Sequence, residues 1–449
     1  MEPLVFNSEE NLDFQSLTES TPLGRVTDVP ANSSKVRTNN NVNKLDDSDR
    51  AFHDWYRFVL SYPPHLVRDY FAKFGLSQGQ TVLDPFCGTG TTIVEAKLRG
   101  LTGIGIEANK MAWLAGHVKT SWHVNSRTLL AEAEQCAQLA QNKIARARKL
   151  RGLPEEQMKL LLANSICPVP LHKALVLLET ISREMSDVFL EHAQLALAKT
   201  LVFSASNLHF GPEVGVRGRK EDADVVGAWL SNIRTMASDL ETQIDGHYME
   251  AKVHFADSRD ATSLLKPHSI DAVFTSPPYP NEKDYTRTTR LESVILGYIK
   301  DKEALRAIKK GLLRSNTRGV YKGDSDDVWV ADNENVQQIA QQIESRRIEL
   351  KKDSGFERLY ARVTKLYFGG MARHLAELRP FLKPGAKLGY VVGDQASYLQ
   401  VMIRTGKLLG EIAEGLGYQV ESLDLFRTRI ATATKAQMRE EVLVLRWPG

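Results

Sequence analysis

Two short stretches of the chain hold residue types whose spacing could do chemistry. The first is Asp84-Pro85-Phe86-Cys87-Gly88-Thr89-Gly90-Thr91-Thr92, set between the β-branched run Thr81-Val82-Leu83 and a helical pattern from Thr91 to Leu98. Glycines at 88 and 90 let the backbone approach a ligand closely, and the helix that follows offers unsatisfied N–H groups at its start. Glu107 ends the next strand-like run, Gly103 to Glu107, and in a doubly wound sheet an acid there reaches the same crevice and accepts both hydroxyls of a ribose. The second stretch is Ser276-Pro277-Pro278-Tyr279, which follows the apolar strand Asp271 to Thr275. Two prolines fix φ and remove N–H donors, so the carbonyls are held as acceptors beside the Ser276 hydroxyl. Such acceptors suit an amino group conjugated to a ring. Bonding its two N–H groups localises a lone pair that is otherwise spread into the ring. Tyr279 adds an aromatic face on which a planar heterocycle can stack, worth about 1–3 kcal/mol.

Neither stretch is decisive by its glycines alone. Ile93 leaves the dinucleotide pattern GxGxxG incomplete, and no GxxxxGK[ST] phosphate loop is present. The two together are more specific. The segment from Val82 to Asn109 resembles the cofactor motifs of the amino-methyltransferases of DNA, and Thr275 to Tyr279 resembles their catalytic motif. The resemblance implies that S-adenosylmethionine is the cofactor, held by Asp84, Pro85, Phe86, Cys87, Gly88, Thr89, Gly90, Thr91, Glu107 and Ala108. It also implies that His53 to Tyr56 and Tyr62 to Val67 resemble the family's stretch over the methionine end of the cofactor, with Tyr62 in contact. Asp257 and Ser258, after the strand Val253-His254-Phe255, resemble the motif that meets the cofactor's adenine; a helix N-cap by Asp257 or Asp260 is the other reading. Catalysis is then expected from Ser276, Pro277, Pro278 and Tyr279. Within the family, serine at the first position leans toward N4 of cytosine, with N6 of adenine the alternative.

These motifs need a scaffold. The expected fold is a doubly wound, seven-stranded class I methyltransferase (Rossmann-like) α/β sheet with two mainly helical insertions. Residues 1–50 are rich in Ser, Asn, Thr and Asp and read as a flexible arm. Residues 51–125 form the cofactor half of the core, 126–245 a helical insertion, 246–283 the catalytic part, 284–365 a basic helical insertion, and 366–449 the C-terminal part of the core.

The substrate expected is double-stranded DNA. A net charge of +3 over 449 residues gives no global basic character, so any nucleic-acid surface must be local. From Thr286 to Lys322 there are ten Lys or Arg against three acids, directly after the catalytic turn. Arg287, Arg290, Arg314 and Arg318 from this run, with Arg217 and Arg219 from a glycine-rich loop, are the candidate DNA contacts. Which insertion reads the sequence is open.

Other classes are disfavoured. Three scattered cysteines, Cys87, Cys136 and Cys167, make no disulfide framework or zinc site, so no metal is expected. No stretch reads as a signal peptide or membrane span, and a cytoplasmic location is expected. Asn335-Val336 after Glu334 and Arg427-Thr428-Arg429 mimic motifs of C5-cytosine methyltransferases, which need a Pro-Cys nucleophile that is absent at the catalytic strand. The remaining rivals are an RNA amino-methyltransferase and a non-catalytic DNA-binding subunit of the same fold. Partner proteins of a restriction or phage-defence system fit the family.

Overall fold

The computed structural model describes residues 45–449 apart from 59–60, 212, 244–247, 282 and 431–436. Most of the arm expected at 1–50 therefore lies outside the described residues.

After two 3-10 turns at Asp47–Asp49 and His53–Trp55, the described residues form helix α1 (Pro64–Phe74), strand β1 (Thr81–Asp84), helix α2 (Thr91–Leu98), strand β2 (Thr102–Glu107) and helix α3 (Lys110–Thr120). Proline at the first helical position starts α1, and Gly75 in the left-handed region ends it. Asn109 caps α3 by accepting from the Met111 N–H. A mainly helical stretch follows: α4 (Ser126–Ala145), α5 (Glu155–Met158), α6 (Pro168–Glu184), α7 (Asp187–Lys199) with a π-helical turn to Ala205, and α8 (Val225–Glu241). Between the π turn and α8 sits a small hairpin, β3 (Leu208–Phe210) and β4 (Val214–Val216), which short polar-flanked runs did not announce.

The sheet resumes with β5 (Ala251–Phe255) and β6 (Ile270–Thr275). Helices α9 (Tyr285–Thr288), α10 (Arg290–Ile295), α11 (Lys302–Gly311), α12 (Glu334–Glu349) and α13 (Tyr360–Leu378) fill the second long interval. Strand β7 (Leu382–Gly393), helix α14 (Thr405–Gly415) and the antiparallel strands β8 (Gln419–Ile430) and β9 (Gln437–Arg446) complete the described chain.

Seven strands form one sheet in the order β5-β2-β1-β6-β7-β9-β8, with β9 antiparallel to both neighbours and the other pairings parallel. This is the doubly wound α/β sheet that the sequence implied. Alternation along the strands divides the core. Val82, Ala272, Phe274, Val391, Val442 and Val444 pack with α1 on one face. Leu83, Val273, Leu388, Tyr390, Leu443 and Leu445 pack with α13 and α14 on the other. A third core joins α4, α6, α7 and α8 to α3 and to Phe52, Trp55 and Tyr56.

Strand order reverses between β1 and β6, which pair with Val82 opposite Ala272 and Leu83 opposite Val273. In an open α/β sheet, ligands bind outside the carboxyl ends of the strands at such a reversal. The two chemistry-bearing stretches leave the sheet at this point.

Candidate active site

Asp84, at the end of β1, is completely buried and ties the two stretches together. Its carboxylate accepts from Thr275 Oγ1 at 2.6 Å, from Tyr62 OH at 2.8 Å and from the Phe86 N–H at 3.2 Å. Burial raises its pKa to about 6, against the lowering effect of these bonds. Asp84 thus stands beneath the turn and fixes its course, where the sequence had suggested a ligand contact.

The two glycines of the turn have different duties. Gly88 sits at φ +52° with nothing within 4 Å of where a Cβ would lie, so its backbone faces open space. Gly90 sits at φ +85°, and a Cβ there would meet the Gly116 Cα of α3 at 2.8 Å. Its smallness serves helix packing, and it does not line the cleft, a correction to its expected role.

The cleft is a cavity of about 280 Å³ at the sheet's switch point. Pro85, Phe86, Cys87, Gly88, Thr89, Thr91, Glu107 and Ala108 line one side. Asp257 and Ser258 contribute from the β5 end, and Tyr62 from ahead of α1. Ser276, Pro277, Pro278 and Tyr279 line the same cavity. Asp84 and Thr275, at the mouths of the two turns, are 191 positions apart in sequence. They meet because β1 and β6 are neighbours.

Glu107 accepts from the Gly88 N–H with one oxygen and from the Asn109 N–H with the other, each at 2.7 Å. Burial nevertheless raises its pKa to about 7. Each oxygen retains a lone pair, so the carboxylate can still accept from a diol in the cleft. An open-faced glycine, an acid with spare acceptors and an apolar wall at Phe86 together fit a nucleoside-bearing cofactor. Asp257 is engaged by Arg259, which donates from Nε at 3.0 Å and from Nη2 at 2.6 Å, and Arg259 also pairs with Asp326. No helix begins at Asp257 or Asp260, so the N-cap reading falls. The stretch His53 to Tyr56 is mostly core: His53 pairs with Glu95, Trp55 donates to Asp239 at 2.7 Å, and Tyr56 bonds Glu292. Of these, Tyr56 also reaches the cleft wall.

On the other side, Ser276 donates its hydroxyl proton to the Val391 carbonyl at 3.1 Å. Its lone pairs remain as acceptors. The Tyr279 hydroxyl donates to Glu440 at 2.9 Å, and burial pushes its pKa well up.

The expected DNA contacts divide. Arg314 is buried and spends its N–H groups inside the protein, on Asp324 and on the carbonyls of Lys309, Lys310 and Leu312. Arg290 bonds Thr286 and the Leu160 carbonyl. These two are structural pins, and the expectation that they hold phosphates is corrected. Arg287 pairs with Glu213 at 3.5 Å and lines a small separate cavity. Arg318, Arg217 and Arg219 are exposed and are not part of the cleft lining, although Gly319 beside Arg318 is. Arg427, Arg429 and Lys283 line the cleft, and the sequence reading passed over them. Arg427 and Arg429 had stood out only as a decoy motif. Among the described residues no cluster of His, Cys, Asp or Glu could hold a metal, and all three cysteines are buried and free. No described helix is long and apolar enough to cross a membrane.

The chain is similar in sequence to known DNA methyltransferases. A family model described as DNA methylase matches residues 26–113, which include the glycine turn and Glu107. Type II methyltransferase M.BsoBI of Geobacillus stearothermophilus is 25% identical over 411 residues, covering 83% of this chain and 80% of that protein. Type II methyltransferase M.AvaI of Nostoc sp. is 28% identical over 190 residues, 40% of this chain and 38% of its own length. Type II methyltransferase M.MjaII of Methanocaldococcus jannaschii is 32% identical over a shorter stretch, 17% of this chain and 14% of its own.

Proposed function

We propose, for a chain that belongs to the amino-methyltransferases of DNA, that it methylates the exocyclic amino group of an extruded base, N4 of cytosine in preference to N6 of adenine. The observation that carries this reading is the common cleft shared by the turn after β1 and the turn after β6. Family membership makes the enzyme dependent on S-adenosylmethionine in general, and that cofactor supplies an electrophilic methyl group on a sulfonium.

The chain's own residues do the rest. Glu107 would take the ribose hydroxyls, the backbone at Gly88 would lie against the cofactor, and Phe86, Tyr62, Asp257 and Ser258 would line its remaining length. Ser276, with its own proton committed to Val391, accepts one N–H of the target amine. The Pro277 carbonyl accepts the other. Both bonds draw the amine lone pair out of the ring and aim it at the cofactor side of the cleft. The Tyr279 ring provides the stacking face for a base taken out of its duplex. No covalent enzyme intermediate is needed.

Serine at position 276 supports the preference for cytosine. The names of these relatives, Type II methyltransferases, support a place in a restriction-modification system. The test is transfer of a labelled methyl group from S-adenosylmethionine to unmethylated double-stranded DNA or to RNA, followed by mass spectrometry of the nucleosides. N4-methyldeoxycytidine from DNA is expected. Label in RNA, label at C5 of cytosine, or no transfer would overturn the reading, and N6-methyldeoxyadenosine would overturn the base preference.

A further inference from the structure

The Tyr279 side chain ties the catalytic turn to the far edge of the sheet. Its hydroxyl donates to Glu440 Oε1 at 2.9 Å, and the other Glu440 oxygen accepts from Arg427 Nε. Glu440 lies on β9 and Arg427 opposite it on β8, so the register of the strand pair sets them side by side. Glu440 and Arg427 both line the cleft, although their side chains are only 10% and 21% exposed. The ring is confined from behind as well: a Cβ on Gly393 would meet Tyr279 Cε2 at 3.0 Å and Arg429 Nη2 at 3.4 Å. At the backbone, the Tyr279 N–H meets the Tyr285 hydroxyl at 3.3 Å.

A ring that only has to present an apolar face needs no hydroxyl. Here the hydroxyl is half-buried and bonded to an acid, and that acid is in turn held by a guanidinium. We propose that Glu440 and Arg427 are positioning residues that lock the plane of the Tyr279 ring, so that a stacked base presents its amino group to Ser276 and the Pro277 carbonyl. The inference rests on the proposed amino-group methylation and adds two residues from the last strand pair to its machinery. The lock acts on orientation. A tilted ring still binds a base but holds its nitrogen off the line of transfer, and misplacement of about 1 Å can cost a hundredfold in rate.

The test compares full-length wild type with Tyr279→Phe, Glu440→Gln and the double variant. It measures kcat for methyl transfer to unmethylated DNA, KM for S-adenosylmethionine and the thermal midpoint. Tyr279→Phe keeps the ring and removes one oxygen. It is expected to lower kcat by roughly ten- to a hundredfold, with KM for the cofactor and the thermal midpoint unchanged. Glu440→Gln is expected to lower kcat through the same link, so the double variant should fall within about twofold of the worse single. Wild-type kcat in Tyr279→Phe, or losses that multiply in the double variant, would overturn the lock. Absence of transfer by the wild-type protein would instead sink the underlying reading.

Discussion

The turn after β1 and the turn after β6 leave neighbouring strands and open on one cleft, yet they are built from opposite materials. Residues 85–90 rely on conformational freedom: Gly88 and Gly90 both take positive φ, and the Gly88 N–H is held by Glu107. Residues 276–279 rely on rigidity. Two successive prolines fix the path and withhold donors, and a serine spends its proton on Val391. One side can wrap a bulky ligand; the other presents fixed acceptors. On the proposed reading, binding and activation are divided between the two halves of the sheet, and the bond between Asp84 and Thr275 joins them.

Breaking the rigid side should cost rate and spare binding. Ser276→Ala is expected to lower kcat by roughly 10²–10³-fold, the scale of losing one preorganised hydrogen-bond partner at a reacting centre. Calorimetry should show unchanged affinity for S-adenosylmethionine. A matching loss of cofactor affinity would erase the division.

Two substitutions sharpen the flexible side. Gly90→Ala drives a Cβ into the Gly116 backbone from a strained φ, and is expected to destabilise the fold by about 1–3 kcal/mol. Gly88→Val meets no protein atom at its Cβ; its cost to the fold is about 1–2 kcal/mol of left-handed strain, and the added bulk should weaken cofactor binding. Denaturant unfolding and calorimetry on both variants check this. If Gly90→Ala leaves stability intact while cofactor binding is lost, the assignment of roles to the two glycines is reversed.

The smallest effect expected is in pH. Glu107, raised to about 7, must be ionised to accept two hydroxyls. Affinity for the cofactor should therefore tighten by about tenfold from pH 6 to pH 8 as the charged fraction grows. Glu107→Gln should bind weakly at both. For the fold the sign is opposite. A carboxyl raised above its ordinary 4.5 contributes stability that is present below that value and lost as pH rises through about 7. A flat pH dependence of wild-type binding would remove Glu107 from the cofactor's contacts.

The legible parts of this molecule were local. Strand β1, the helix Thr91–Leu98 and the catalytic turn each announce themselves within a short run of residues, and the strand–turn–helix order fixes where they meet. What could not be read was which residues meet at the cleft and which of their polar groups are already spent inside the protein. Arg314 and Arg427 are both arginines near other charges in sequence. Only the fold shows that Arg314, although at the cleft wall, is saturated by Asp324 and three carbonyls, and that the pairing of β8 with β9 brings Arg427 to the same cleft. Gly90 looked like Gly88 because its reason, the approach of α3, lies two elements further on at Gly116. The hairpin β3–β4 has three-residue strands, too short for alternation to show.

The most direct measurement is a crystal structure of the protein with S-adenosylhomocysteine bound. The ribose hydroxyls are expected on Glu107, and the sulfur should face the space between Ser276 and the Pro277 carbonyl. A sulfur turned away from that turn, or a nucleoside seated outside the cleft, would contradict the shared-cleft account.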